Sequence, residues 1–228
     1  MVCFLVGLSM GILSFLLDII VEEIILLRWA ATEAVTLSSG WGMGLVTIIC
    51  ISLPLALIAM ILTAYVAPAT AGSGVAETMG ILNGVNYPDF INLKCLMVKF
   101  FGVMFAVSAG LCVGKEGPLV HMGAIVGCAM PYLPLKLTRY FQNDSEKRKL
   151  MAVGIACGVS CAFGAPIGGA LFAYEISKPN TFWSFSLTWK VFFASTISTF
   201  SLSVFKQFYD NNLPISVSAS EITKLGSS

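Results

Sequence analysis

Apolar residues in this chain fall into long blocks rather than alternating singly with polar ones. Val2 to Leu27 predicts a first membrane helix, long enough to cross a bilayer with some tilt. Trp41 to Val66 predicts a second, kinked at Pro54, Leu93 to Val113 a third, and Phe185 to Phe205 a last. Four shorter apolar stretches lie between them: Val75 to Leu82, Glu116 to Met130, Leu150 to Ala162 and Ile167 to Ser177. Glycine- and proline-rich breaks, Ala67 to Gly74 and Gly164-Ala165-Pro166 among them, separate these pieces. Helices this short do not cross a bilayer, and broken helices are tolerated at membrane depth only where they are buried or line a cavity. The expected class is an all-α integral membrane protein of tilted and broken helices. Paired, glycine-interrupted segments point to a transport site near the bilayer midplane.

Composition strengthens the membrane assignment. Of 228 residues, 57% are hydrophobic and 11% charged, against about a quarter charged in a soluble domain. A net charge of +1 gives no reason to expect a nucleic-acid partner. Seven cysteines, mostly inside apolar blocks and without metal-ligand spacing, read as small core hydrophobes rather than disulfides. Asp18, Glu22 and Glu23 are unusual in a first span and read as residues near its interfacial end. Lys136 to Lys149 holds five Lys/Arg and should face the cytoplasm, which makes Asn143-Asp144-Ser145 a chance glycosylation match. The chain is apolar from Met1 with no basic stretch ahead, so a cleaved signal peptide is not expected, and further residues are expected upstream.

Candidate chemistry sits at two breaks. In Gly114-Lys115-Glu116-Gly117-Pro118 the glycines permit sharp turns and close approach of a ligand, and proline suits a first helical turn. A helix beginning here aims free N–H groups and a positive dipole end at a small volume, which suits an anion. Glu116 stands at its mouth, and its own carboxylate is an anion that can occupy the site as a gate. Gly72-Ser73-Gly74 offers a second helix start with a hydroxyl donor. Two such ends converging would hold a halide by partial charges, without a full cation to trap it. The competing view of each break alone is a packing notch between helices. His121, the only histidine, reads as a core or lumen-facing residue rather than a ligand. No nucleophile–base pair, phosphate loop or metal cluster supports an enzyme.

Three stretches, in order and spacing, resemble signatures of the CLC chloride channels and chloride/proton exchangers: Gly72-Ser73-Gly74-Val75-Ala76-Glu77, Gly114 to Pro118, and Phe163-Gly164-Ala165-Pro166 through Tyr174-Glu175. Asn83-Gly84-Val85, Glu146-Lys147-Arg148 and Thr188-Trp189-Lys190 resemble the endosomal/lysosomal branch most, with the plasma membrane as the other location. The resemblance implies the first repeat of an inverted-repeat fold over residues 1–206, with 207–228 a polar tail. It implies voltage-gated transport of chloride or other small anions, Ser73 as central anion ligand with Gly72 and Gly74 shaping its helix end, and Glu116 as gate. Gly114, Lys115 and Gly117 would form the outer anion site, with Lys115 adding positive potential or serving only as a helix-end cation. No cofactor is implied beyond the transported chloride; the implied partners are lipid, protons in exchangers, and a second copy in a full-length homodimer.

Departures from the family pattern qualify this. Val75-Ala76 follows Gly-Ser-Gly where the family usually has Ile-Pro. Exchangers end the third signature with two glutamates, the second an inner proton acceptor; here the pair is Glu175-Ile176, which favours weak or absent proton coupling. Nothing matches the second inverted half, with its tyrosine ligand, or the CBS regulatory domains. The expectation is therefore a fragment, a truncated product or half of a split assembly, either part of an anion pore or a non-conducting modulator of a full-length partner.

Overall fold

A computed structural model describes residues 1–87, 89–132, 143–177 and 183–210. Among them the chain forms eight α-helices and no strand. They are α1 (Val2–Ser39), α2 (Trp41–Ile61), α3 (Val75–Leu82), α4 (Leu93–Ser108), α5 (Glu116–Ala129), α6 (Asp144–Phe163), α7 (Pro166–Ser177) and α8 (Phe185–Asp210). A π turn, Leu62–Val66, extends α2, so the second apolar block is helical throughout. Two segments, α1 and Trp41–Val66, are long and apolar enough by themselves to cross a membrane.

Several boundaries differ from the sequence-based expectation. The first helix continues twelve residues past Leu27, to Ser39. No glycine or proline interrupts that stretch, and Thr32 and Thr36 turn their hydroxyls back onto the carbonyls of Arg28 and Thr32; Gly40, at φ 88°, ends it. The third block stops being helical at Ser108. Gly110, at φ 81°, donates to the Val107 carbonyl and Leu111 to that of Ala106, a left-handed helix stop. The segment read as Leu150 to Ala162 starts earlier, at Asp144, because Asp144 and Glu146 complement the dipole of its first turn. The last helix runs to Asp210, past Phe205, so the first residues of the stretch read as a polar tail, 207–210, are helical, and 211–228 lie outside the described residues. The basic stretch from Lys136 is likewise described only from Asn143 on.

The core centres on α5 and α6, both buried along nearly their whole apolar length, with α1 and α8 packed alongside. Glycines set the closeness of that packing. Gly123 and Gly127 of α5 lie against the Gly154 and Leu150 carbonyls of α6, and Gly154 and Gly158 lie against the Gly123 and Leu119 carbonyls in return. Each pair is spaced four residues apart, so both helices present a small-residue stripe and the backbones touch. A second such stripe, Gly7 and Gly11 of α1, meets the Ala194 and Ser198 carbonyls of α8. By contrast α2 turns Leu45, Ile49, Leu53 and Leu57 outward, as a lipid-facing helix does.

Candidate functional site

The first break follows α2. After a 3-10 turn, Pro68–Thr70, the chain passes through Gly72 (φ 73°) and Gly74 (φ 84°). Both take the left-handed backbone region that costs side-chain-bearing residues strain, so Ser73 is held exposed between two reversals. Gly74 is the N-cap of α3; Ser73 Oγ accepts a long 3.4 Å bond from the Val75 amide, and Thr78 Oγ1 donates to the Gly74 carbonyl at 2.5 Å.

The second break runs from Ala109 to Lys115, and α5 starts at Glu116 with Pro118 in its first turn. Glu116 is exposed, and its carboxylate lies over Gly114, where any side chain would collide with it. The glycine there is thus the space the carboxylate occupies.

These two breaks meet. A Cβ on Gly117 would stand 2.6 Å from Ser73 Cβ, so the first turn of α5 and the Ser73 loop are in direct contact. A cavity of about 480 Å³ opens beside them, lined by Gly72, Ser73, Gly114, Thr63, Lys99 and Pro118. Of the residues expected at the site, Gly72, Ser73 and Gly114 line it; Gly74, Lys115, Glu116 and Gly117 lie around it without facing in. Neither helix start has a side-chain cap from its N-cap residue, Gly74 or Lys115. Apart from the long Val75–Ser73 Oγ bond, their first amides keep the partial positive charge of a helix N-terminus, up to about half an elementary charge.

Lysines complete the electrostatics, and one was not anticipated. Lys99 of α4 is 3% exposed, and its Nζ donates to the Thr70 carbonyl at 2.9 Å and the Gly72 carbonyl at 2.6 Å. Because a trans peptide points its carbonyl and the next N–H in opposite directions, this bond turns the Ser73 N–H away from Lys99. The signal was present in the sequence: an ionisable residue well inside an apolar block is a functional-site hypothesis in its own right. Lys115, expected as a steering cation or a helix-end cation, pairs with Asp18 Oδ1 at 2.5 Å, and Lys206 Nζ lies 2.9 Å from Oδ2 of the same carboxylate. The Asp18 side chain, 8% exposed, thus ties α1 to the start of α5 and to α8. Glu22 and Glu23 do lie exposed, Glu23 accepting from the Tyr209 hydroxyl at 2.7 Å. At the third signature, Gly164 (φ 64°) precedes α7, Glu175 is exposed and Ile176 is buried.

A sequence profile described as voltage gated chloride channel matches residues 55–225. The chain belongs to the voltage-gated chloride channel (CLC) family. It is 35% identical to the human H(+)/Cl(-) exchange transporter 7 over 93% of its own length, which is 28% of that relative's. Its helices superpose on a eukaryotic CLC transporter with a TM-score of 0.77 at 24% identity, covering 90% of this chain and 37% of that one. A slow cyanobacterial Cl-/H+ antiporter gives 0.75 at 26%, with coverage of 90% and 46%. The all-α membrane fold read from the sequence is therefore that of CLC proteins, and the chain spans little more than a quarter of the curated relative's length.

Proposed function

We propose that this chain supplies one half of the wall of a CLC pore that moves chloride, with Ser73 as anion ligand and Glu116 as gate. One observation carries this: the starts of α3 and α5 touch at Ser73 and Gly117, which brings two positive helix ends to the edge of the same cavity. Partial charges attract a halide strongly enough to strip some of its water, yet leave it free to exit. Ionised, Glu116 competes for that volume; protonated, it leaves, and an anion enters. Lys99, buried against the cavity, raises the local potential for anions. The sites on the open side of Ser73 and Glu116, the homodimer and any proton path belong to the complete protein. We place that protein in an endosomal or lysosomal membrane on the branch resemblance of Asn83-Gly84-Val85, Glu146-Lys147-Arg148 and Thr188-Trp189-Lys190.

The deciding experiment is Glu116→Gln in the complete protein, with anion currents measured across pH and voltage. Removing the charge should leave conduction that no longer follows either variable. Currents that keep their native pH and voltage dependence would refute the gate. A second mode, chloride/proton antiport, is favoured by the exchanger names of the relatives; weak or absent coupling is favoured by Ile176, an apolar and buried side chain where exchangers carry a carboxylate.

A further inference from the structure

His121 lies one and a half turns into α5, fully buried, and packs against neither Glu116 nor the cavity. Its ring is stacked on that of Phe90, with centroids 3.8 Å apart and planes 9° from parallel. Its Nε2 lies 3.0 Å from the Phe90 carbonyl oxygen and, since a carbonyl only accepts, is the donor. Stacking fixes the plane of the ring, and the hydrogen bond fixes its rotation within that plane. The opposite edge of the ring is thereby pressed against the Ser73 loop. A Cβ on Gly74 would stand 2.9 Å from His121 Cβ, Cγ and Nδ1 alike.

We infer that His121 is a positioning residue for anion selectivity: it transmits the fixed 89–92 backbone to Gly74 and so sets where Ser73 Oγ stands. Ser73 is held on one side by the Lys99 bond to Gly72 and beneath by Gly117; His121 is the stop on its other side, at Gly74. The nature of the side chain supports this. His121 Nδ1 is buried with no hydrogen-bond partner, a cost that a purely space-filling residue would not carry. Phenylalanine, a somewhat larger ring, would keep the stack on Phe90 and have no unpaired nitrogen, but would leave the Phe90 carbonyl without its donor. What it would lose is the bond that locks the ring's rotation against Gly74.

The inference rests on Ser73 as anion ligand, so the experiment measures chloride-to-nitrate permeability from reversal potentials in the complete protein for Ser73→Pro, His121→Phe and the double variant. Ser73→Pro removes the hydroxyl and should move the ratio toward nitrate; an unchanged ratio there would sink the ligand role of Ser73 itself. His121→Phe should shift the ratio in the same direction by at least about threefold, and add little in the double variant, as side chains acting through one contact do. A native ratio in His121→Phe, or a shift that simply adds to that of Ser73→Pro, overturns the inference. Should His121→Phe give no monodisperse protein, His121→Gln carries the test: its amide can still donate to Phe90, but it has no ring to rest against Gly74, and a native ratio again overturns the inference.

Discussion

A single ammonium, that of Lys99, holds the Ser73 loop from behind. Lys99→Met keeps the length of the side chain and its packing but leaves the Thr70 and Gly72 carbonyls without their donor. Bonds to a charged group are worth about 1.5–3 kcal/mol each, and relief from burying a charge offsets part of that loss. The expected net destabilisation is about 1–3 kcal/mol, read as a lower melting temperature in detergent. Chloride should also protect the variant against heat less than it protects the native protein. Equal protection by chloride in both would exclude Lys99 from the site's electrostatics. At this scale the sequence was legible where the chemistry is local. Gly72 and Gly74 announce a backbone reversal around Ser73 through their own conformational preferences, whereas at the second break the left-handed glycine is Gly110 rather than Gly114 or Gly117. The Asp18 ion pairs were not legible for the opposite reason, since both lysines come from segments distant in sequence and nothing near Asp18 announces them.

Between helices, the decisive residues are those with no side chain. Gly154→Ala would drive a methyl group into the Gly123 backbone and should destabilise by about 1–3 kcal/mol through overpacking. The same change at Gly42 of α2 meets nothing within 4 Å and, by restricting the unfolded chain, should be neutral or stabilising by up to about 1 kcal/mol. Melting temperatures of the two variants compared side by side test this; similar losses in both would mean that close backbone contact does not govern the α5–α6 seam. The spacing Gly123-xxx-Gly127 and Gly154-xxx-Gly158 is visible in the sequence, but which stripe faces which is not. Pairing depends on how the helices cross in three dimensions. Helix ends were legible to the extent that a left-handed glycine marks them: Gly84 and Gly164 stand where α3 and α6 were expected to stop. The end of α4 was overshot because Leu111, Cys112 and Val113 continue the apolar block after Gly110 has turned the chain.

For the molecule as a whole, Ile176 bears on whether anion movement is tied to protons. An exchanger needs a titratable group or ordered water at the inner end of its proton path, and intramembrane carboxylates are kept for such work. Ile176 is 6% exposed on α7, whereas Glu175, one residue earlier and about 100° around the helix, is exposed. The expected outcome is weak proton flux when the complete protein, in liposomes, is driven by a chloride gradient, and a gain of proton flux in Ile176→Glu. Strong uphill proton movement with Ile176 in place would rule this out. The order of long and broken helices was legible because each apolar block is bounded by its own polar or glycine-rich break. The convergence of the Ser73 and Glu116 breaks was an inference from chemistry alone, since no local pattern encodes that Gly117 will lie under Ser73.

The Asp18 junction also bears on how the chain is made. Asp18 is synthesised 97 residues before Lys115, and longer still before Lys206. When α1 first meets the bilayer its carboxylate has neither partner, and a lone acidic residue near a helix centre raises the cost of insertion by about 2.5–3.5 kcal/mol. The leucines and isoleucines around Asp18 offset that cost, but the helix has no settled depth until both cations arrive. Biogenesis of this chain is therefore cooperative along its length: α1 is made well before it can be fixed, and it waits for α8.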